Sequence, residues 1–135
     1  MRATAEFRWP ARVYYEDTDA QGVVYYANYL RYLERARSEW LRDQGIDQPR
    51  LLRDDRMFVV SRVEIDYIVP ARFDDALVIT VAVAERRRAS FKLTQRIVGV
   101  DGDSPEYCRA EVTIAYLSAS KLRPVKMPES WLLES

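Results

Sequence analysis

The chain has 135 residues, 21 of them basic, 21 acidic and none histidine. A domain of this size buries roughly two-thirds of its unfolded surface, and a hydrophobic share of 48% is that of a globular protein rather than a disordered one. The balanced charge supplies no global field for nucleic acid or an anionic membrane, and the absence of histidine removes Ser-His-Asp and Cys-His pairs, H-E-x-x-H zinc sites and the imidazole proton shuttle.

The opening MRATAEFRWP lacks the apolar run of a signal peptide, and no stretch approaches the length of a membrane-spanning helix. The single cysteine, Cys108, rules out an internal disulfide framework and suits a reducing compartment. The expectation is a soluble cytoplasmic protein, residues 1–135 forming one domain without repeats, linkers or low-complexity segments.

Trp9, Ala11, Val13 and Tyr15 alternate with Pro10, Arg12 and Tyr14, which predicts a half-buried strand with Pro10 at its start or on an edge. A polar loop follows at Asp17 to Gly22. Tyr29, Tyr32, Leu33, Ala36, Trp40 and Leu41 then recur at three- and four-residue steps, with Arg31, Glu34, Arg35, Arg37, Glu39 and Arg42 between them. That spacing predicts an amphipathic helix of about four to five turns. Asn28 is placed to cap it, Gly45 to stop it, and Arg35 to pair with Glu39 on its wet face.

After the helix the period changes to two. Met57, Val59, Ser61, Val63, Ile65, Tyr67 and Val69 share one face of a long strand. DALVITVAVAERR and ASFKLTQRIVGVD are two more strands, joined by a basic turn near Arg86 to Ala89. DGDSP is a turn, and EYCRAEVTIAYLSAS is a last strand with Cys108, Ala110, Val112, Ile114 and Tyr116 inward. The tail carries Pro124 and Pro128, then one helical turn. The fold class is α+β, with one amphipathic helix lying across the apolar face of an antiparallel sheet. The face or edge left uncovered is free to meet a second subunit.

The loop concentrates the chemistry, with Asp17, Asp19, Gln21 and Gly22 in six positions. As a calcium loop starting at Asp17 it fails three times: Asn28 stands at the twelfth position, Gln21 at the fifth, and a strand rather than a helix precedes it. Spacing alone favours an ordinary turn, in which Asp and Thr bond the local backbone and Gly22 supplies a permissive angle. Position argues for more. A carboxylate between a strand end and a helix start faces free N–H groups and a positive dipole end. Carboxylate and oriented N–H groups are the parts of an acyl-transfer site.

The run YYEDTDAQGVVYYANYLRYLERARSEWLR resembles the signature of hotdog-fold acyl-CoA thioesterases of the 4-hydroxybenzoyl-CoA thioesterase family, nearest the branch associated with the Tol–Pal system. The likeness continues through FVVSRVEIDYIVPARFDD and covers nearly the whole chain. It implies a five-stranded antiparallel sheet wrapped around one long helix. It places the catalytic aspartate on Asp19, either attacking the thioester carbonyl to give a mixed anhydride or acting as general base for water. The oxyanion donor falls on the backbone N–H of Tyr26. The Tol–Pal branch usually has histidine there and the hydroxybenzoyl enzyme tyrosine, a swap to which a backbone donor is indifferent.

The same resemblance puts Glu34 at the acyl pocket, where the hydroxybenzoyl branch carries aspartate, and so points to aliphatic acyl groups. The plain alternative is a surface partner for Arg37 or Ser38. Asp17 and Gly22 shape the turn, and Asn28 and Tyr29 orient the loop. Arg87, Arg88 and Ser90 match positions that contact coenzyme A phosphates, with Arg123 a similar candidate; the plain alternative is a solvated hairpin end. Val59, Val60 and Ser61 border the acyl pocket, because family sites lie between subunits. The implied substrate is a short-chain aliphatic or aryl acyl-CoA, or an acyl carrier protein thioester. The implied assembly is a dimer or a dimer of dimers. No cofactor is expected beyond the substrate's own coenzyme A, and no metal. A non-catalytic module binding acyl-CoA or acyl carrier protein is the rival, and a hydratase comes last because it needs histidine. Ser61, Ser90 and Cys108 lack a histidine base and are poor nucleophiles.

Overall fold

The computed structural model describes residues 6–132. Its elements are β1 (Phe7–Arg12), α1 (Asn28–Asp43), α2 (Gln48–Arg53), β2 (Arg56–Tyr67), β3 (Ala76–Arg86), β4 (Ser90–Asp101) and β5 (Ser104–Ser118). The strands form one antiparallel sheet in the order β1-β3-β4-β5-β2, so β1 and β2 are its edges. The predicted fold is the observed one. No helix among the described residues is long and apolar enough to cross a membrane.

The apolar stripe of α1 does what its spacing predicts. Tyr29, Tyr32, Leu33, Ala36, Trp40 and Leu41 are all buried, in one core with Leu77, Ile79, Val81, Phe91, Leu93 and Ile97 of the sheet. Each large side chain so buried contributes about 1.5–3 kcal/mol. Gly45 ends the helix at φ +81°, its N–H on the Arg42 carbonyl and that of Ile46 on the Leu41 carbonyl, both at 2.9 Å.

Asn28, expected as the cap, is instead the first helical residue; Ala27 holds the cap position with no side-chain bond. Arg35 does not pair with Glu39, which takes Arg42 instead. Arg37, expected on the wet face, is buried over β4 and donates to Gln95 Oε1 at 3.1 Å. Gln95 in turn donates to the Leu33 and Thr80 carbonyls at 3.1 and 3.3 Å. A neutral acceptor inside the core lets the guanidinium lie down there. α2 was not anticipated, although Asp47 caps it, accepting the Arg50 N–H at 3.2 Å, and Pro49 sits in its first turn.

β1 stops at Arg12, and Tyr15, expected inward, is 81% exposed. The cause is Asp17, whose carboxylate accepts the Tyr14 N–H at 2.8 Å and draws the chain into a single 3₁₀ turn, Tyr15–Asp17. β2 keeps the predicted phase only in its second half. Phe58 faces Tyr116 and Val60 faces Ile114, but then Arg62 faces Thr113 and Val63 faces Val112. Ser61 is the extra residue of a bulge, its hydroxyl on the Thr113 carbonyl at 3.3 Å. Partners directly opposite share a face, so Phe58 and Val60 lie on the helix side with Val63, Ile65 and Tyr67. Met57 and Val59 lie on the other.

Candidate active site

Between β1 and α1 the chain forms a small closed loop. Thr18 and Val24 bridge, Asp19 N–H donates to the Val23 carbonyl at 2.9 Å, and Gly22 N–H to the Asp19 carbonyl at 3.0 Å. Gly22 makes the turn at φ +80°. Asp19 stabilises it from within: its Oδ1 accepts the Gln21 N–H at 2.8 Å, which fixes the carboxylate and leaves the other oxygen without a hydrogen-bond partner among the described residues.

Asp17 and Asp19 divide the work. The Asp17 carboxylate also takes the Tyr32 hydroxyl at 2.8 Å, and its carbonyl accepts the Tyr25 N–H at 3.0 Å and Asn28 Nδ2 at 2.9 Å. The loop is thereby tied to the first turns of α1. On its other side, Val24 N–H donates to the Ala71 carbonyl at 2.8 Å, and Ala71 N–H to the Tyr29 hydroxyl at 3.0 Å. Burial raises the pKa of Tyr29, and burial followed by the Asp17 bond raises that of Tyr32, so both phenols stay protonated near neutrality. The two aspartates do not converge on a common point, and among the described residues no group of three or more His, Cys, Asp or Glu is arranged to hold a metal.

The backbone N–H groups of Tyr26 and Ala27 donate to no acceptor among the described residues. They stand at the N-terminal end of α1, where free donors and the helix dipole favour negative charge. Asp19 and Tyr26 line one cavity of about 280 Å³. Its other walls are Val23 and Val24 of the loop, Tyr29, and the segment Tyr67, Ile68, Val69 and Pro70. That segment is the part of the site that sequence reading missed. Tyr67 was legible only as an inward strand residue, and the pairing that brings it to Asp19 is long-range.

The remaining candidates lie elsewhere on the single chain. Glu34 is exposed on α1, outside this cavity. Its charge is felt by Arg37, whose pKa burial lowers and Glu34 raises. Val60 faces the helix side of β2, Val59 the opposite side, and Ser61 sits at the bulge. Arg87 and Ser90 line a second groove of about 160 Å³ with Lys92 and Thr113, where Arg87 is paired with Glu85. Val59 and Ser90 flank Ala115 in register on the outer face of the sheet. The Arg88 and Arg123 side chains are exposed, while their carbonyls accept the Met127 and Ser118 N–H groups at 2.9 Å.

Residues 13–134 match the family model described as the thioesterase-like superfamily. The chain is 42% identical over 131 residues to the acyl-CoA thioester hydrolase YbgC of Escherichia coli O6:H1, covering 97% of this chain and 96% of that one. The solved structure of a probable thioesterase from Bartonella henselae matches with TM-score 0.80 and 37% identity, over 93% of this chain and 100% of that one. A 1,4-dihydroxy-2-naphthoyl-CoA thioesterase from Synechocystis shares the fold, with TM-score 0.86 at 21% identity over 94% of this chain and 93% of that one. With its closed aspartate loop at the head of a single long helix, the chain therefore belongs to the thioesterase-like superfamily as a hotdog-fold thioester hydrolase.

Proposed function

We propose that the protein hydrolyses acyl-CoA thioesters, with Asp19 as the reacting carboxylate and the Tyr26 N–H as the oxyanion donor. The observation that carries this reading is their shared cavity, together with an N–H at Tyr26 that has no protein acceptor. The relative named acyl-CoA thioester hydrolase supports the substrate class. The thioester carbonyl oxygen accepts the Tyr26 N–H, which stabilises the charge that develops as the carbon becomes tetrahedral. In one route an Asp19 oxygen bonds to that carbon, the C–S bond breaks, and the thiolate takes a proton from water. Water then cleaves the mixed anhydride and restores the carboxylate. In the other, Asp19 takes a proton from a water whose oxygen attacks the same carbon; the tetrahedral intermediate then breaks its C–S bond, and Asp19 returns the proton to the departing sulfur, which restores the carboxylate.

Arg87, Arg88, Ser90 and Arg123 hold the coenzyme A phosphates, Glu34 borders the acyl group, and Val59, Val60 and Ser61 meet the site across a subunit boundary. The separation of these residues from the Asp19 cavity within one chain supports a homo-oligomer, a dimer or a dimer of dimers, as does the exposed edge strand β2. The reaction needs no cofactor besides the substrate's coenzyme A, and the place of action is the cytoplasm.

A thiol-release assay across an acyl-CoA panel, including 4-hydroxybenzoyl-CoA, tests the reading. Asp19→Asn is expected to lower turnover roughly 10²–10⁴-fold with the fold retained. Wild-type turnover in that variant removes Asp19 from the chemistry. Tight acyl-CoA binding without thiol release in the native protein makes it a binding module instead.

A further inference from the structure

Three tyrosine rings stand in line beside Asp19. The innermost, Tyr29, is 4% exposed and pinned through its hydroxyl by the Ala71 N–H. Tyr67 leans on it with centroids 5.5 Å apart and planes at 61°. Tyr26 closes the row, edge to face on Tyr67 at 6.2 Å and 90°. Both contacts are favourable aromatic geometries. Tyr67 thus has a rigid ring behind it and a second ring in front. The wall that continues from it is equally fixed, since the Ile68 and Val69 N–H groups both donate to the Tyr107 carbonyl, at 2.9 and 3.2 Å.

We infer that Tyr67 is a specificity-determining residue: its ring ends the cavity that Asp19 lines and sets the length and bulk of the acyl group accepted there. The inference rests on the proposed hydrolysis at Asp19. Tyr67 belongs to β2, not to the catalytic loop, and reaches the cavity because β2 pairs with β5 opposite Cys108. The ring is 47% exposed in a single chain, so it acts as a braced wall of the cavity rather than as part of the packed interior, and Tyr29, buried behind it, blocks the swing inward that would make room for a longer or bulkier acyl group. The selection is steric, so the ring carries it rather than the hydroxyl.

The test is kcat/KM for a linear acyl-CoA series from acetyl to decanoyl, with benzoyl-CoA, in wild type, Tyr67→Phe, Tyr67→Leu and Tyr67→Ala. One methylene in an apolar pocket changes kcat/KM by roughly 10- to 200-fold, so the wild-type profile is expected to drop steeply past its optimum. Tyr67→Ala and Tyr67→Leu move the optimum toward longer acyl groups and raise kcat/KM for the first rejected length at least about tenfold. Tyr67→Phe keeps the wild-type order of preference. Calorimetry with non-hydrolysable S-alkyl-CoA thioethers of the same lengths reads the pocket without the reaction. A length profile that moves in binding supports the inference even where no thiol is released, an outcome that counts against the hydrolase reading alone. A uniform fall for every length in Tyr67→Ala, or a profile unmoved in both measurements, overturns it.

Discussion

Gly22 is the residue on which the Asp19 loop turns. At φ +80° an added Cβ meets nothing within 4 Å, so the penalty of a substitution is one of backbone rather than of space. Left-handed backbone costs an ordinary residue about 1–2 kcal/mol, while Asn tolerates it better. Gly22→Val is therefore expected to lower kcat for thioester cleavage more than it lowers Tm, with Gly22→Asn between it and wild type, as steady-state kinetics and thermal melts of the three proteins can show. The same loop separates its aspartates by partner, not by motif. Both are legible as a D-x-D pair, but only the folded chain gives Asp17 to Tyr14, Asn28 and Tyr32 and leaves one Asp19 oxygen without a partner among the described residues. Glycine turns are written in the sequence because few other residues fit them. The direction of a carboxylate depends on chain that arrives later.

At the scale of elements, α1 was readable because one strong stripe of apolar residues repeats along a face that nothing contradicts. β2 was readable as a strand but not in phase. Met57, Phe58, Val59 and Val60 are all apolar, so either alternation fits its first half, and the bulge at Ser61 that chooses between them depends on pairing with β5. The start of β2 is fastened by Asp55. Its carboxylate accepts the Ser118 hydroxyl at 2.7 Å, the Ser120 N–H at 2.7 Å and the Ser120 hydroxyl at 3.0 Å, joining the strand to the end of β5. The Ser118 bond, then that of the Ser120 N–H, hold the Asp55 pKa below its ordinary value. A carboxyl depressed in the folded state stabilises it above the unfolded pKa of about 3.9 and loses that contribution as pH falls through the folded value. Asp55→Asn is thus expected to lower Tm at pH 7, and the gap from wild type to narrow progressively as melts are repeated below the unfolded pKa. A gap constant with pH makes the carboxylate's charge irrelevant to this fastening.

At the scale of the molecule, the sheet is covered unevenly. Its β1 and β3 side carries α1, whereas β2 is an edge of twelve residues with Val60, Val63 and Tyr67 between 38% and 47% exposed on the helix side. Unpaired backbone together with apolar side chains makes a strong template for another strand. The cavity that Asp19 lines opens beside the far end of this strand, and Glu34 stands on the exposed surface of α1. In the proposed homo-oligomer, a second copy pairing along β2 would bring residues that one chain keeps apart toward the same acyl group. A charge on this edge opposes that pairing while leaving the core untouched, because a lysine at a half-exposed position keeps its ammonium in water. Val63→Lys is therefore expected to shift the mass measured by light scattering from an oligomer toward a single chain, with the far-ultraviolet circular dichroism unchanged. Thiol release should fall with the oligomer fraction and return as concentration rises. A folded monomer of Val63→Lys with full activity makes one chain sufficient, and Arg87, Arg88 and Arg123, proposed to hold coenzyme A, must then serve the cavity on their own subunit.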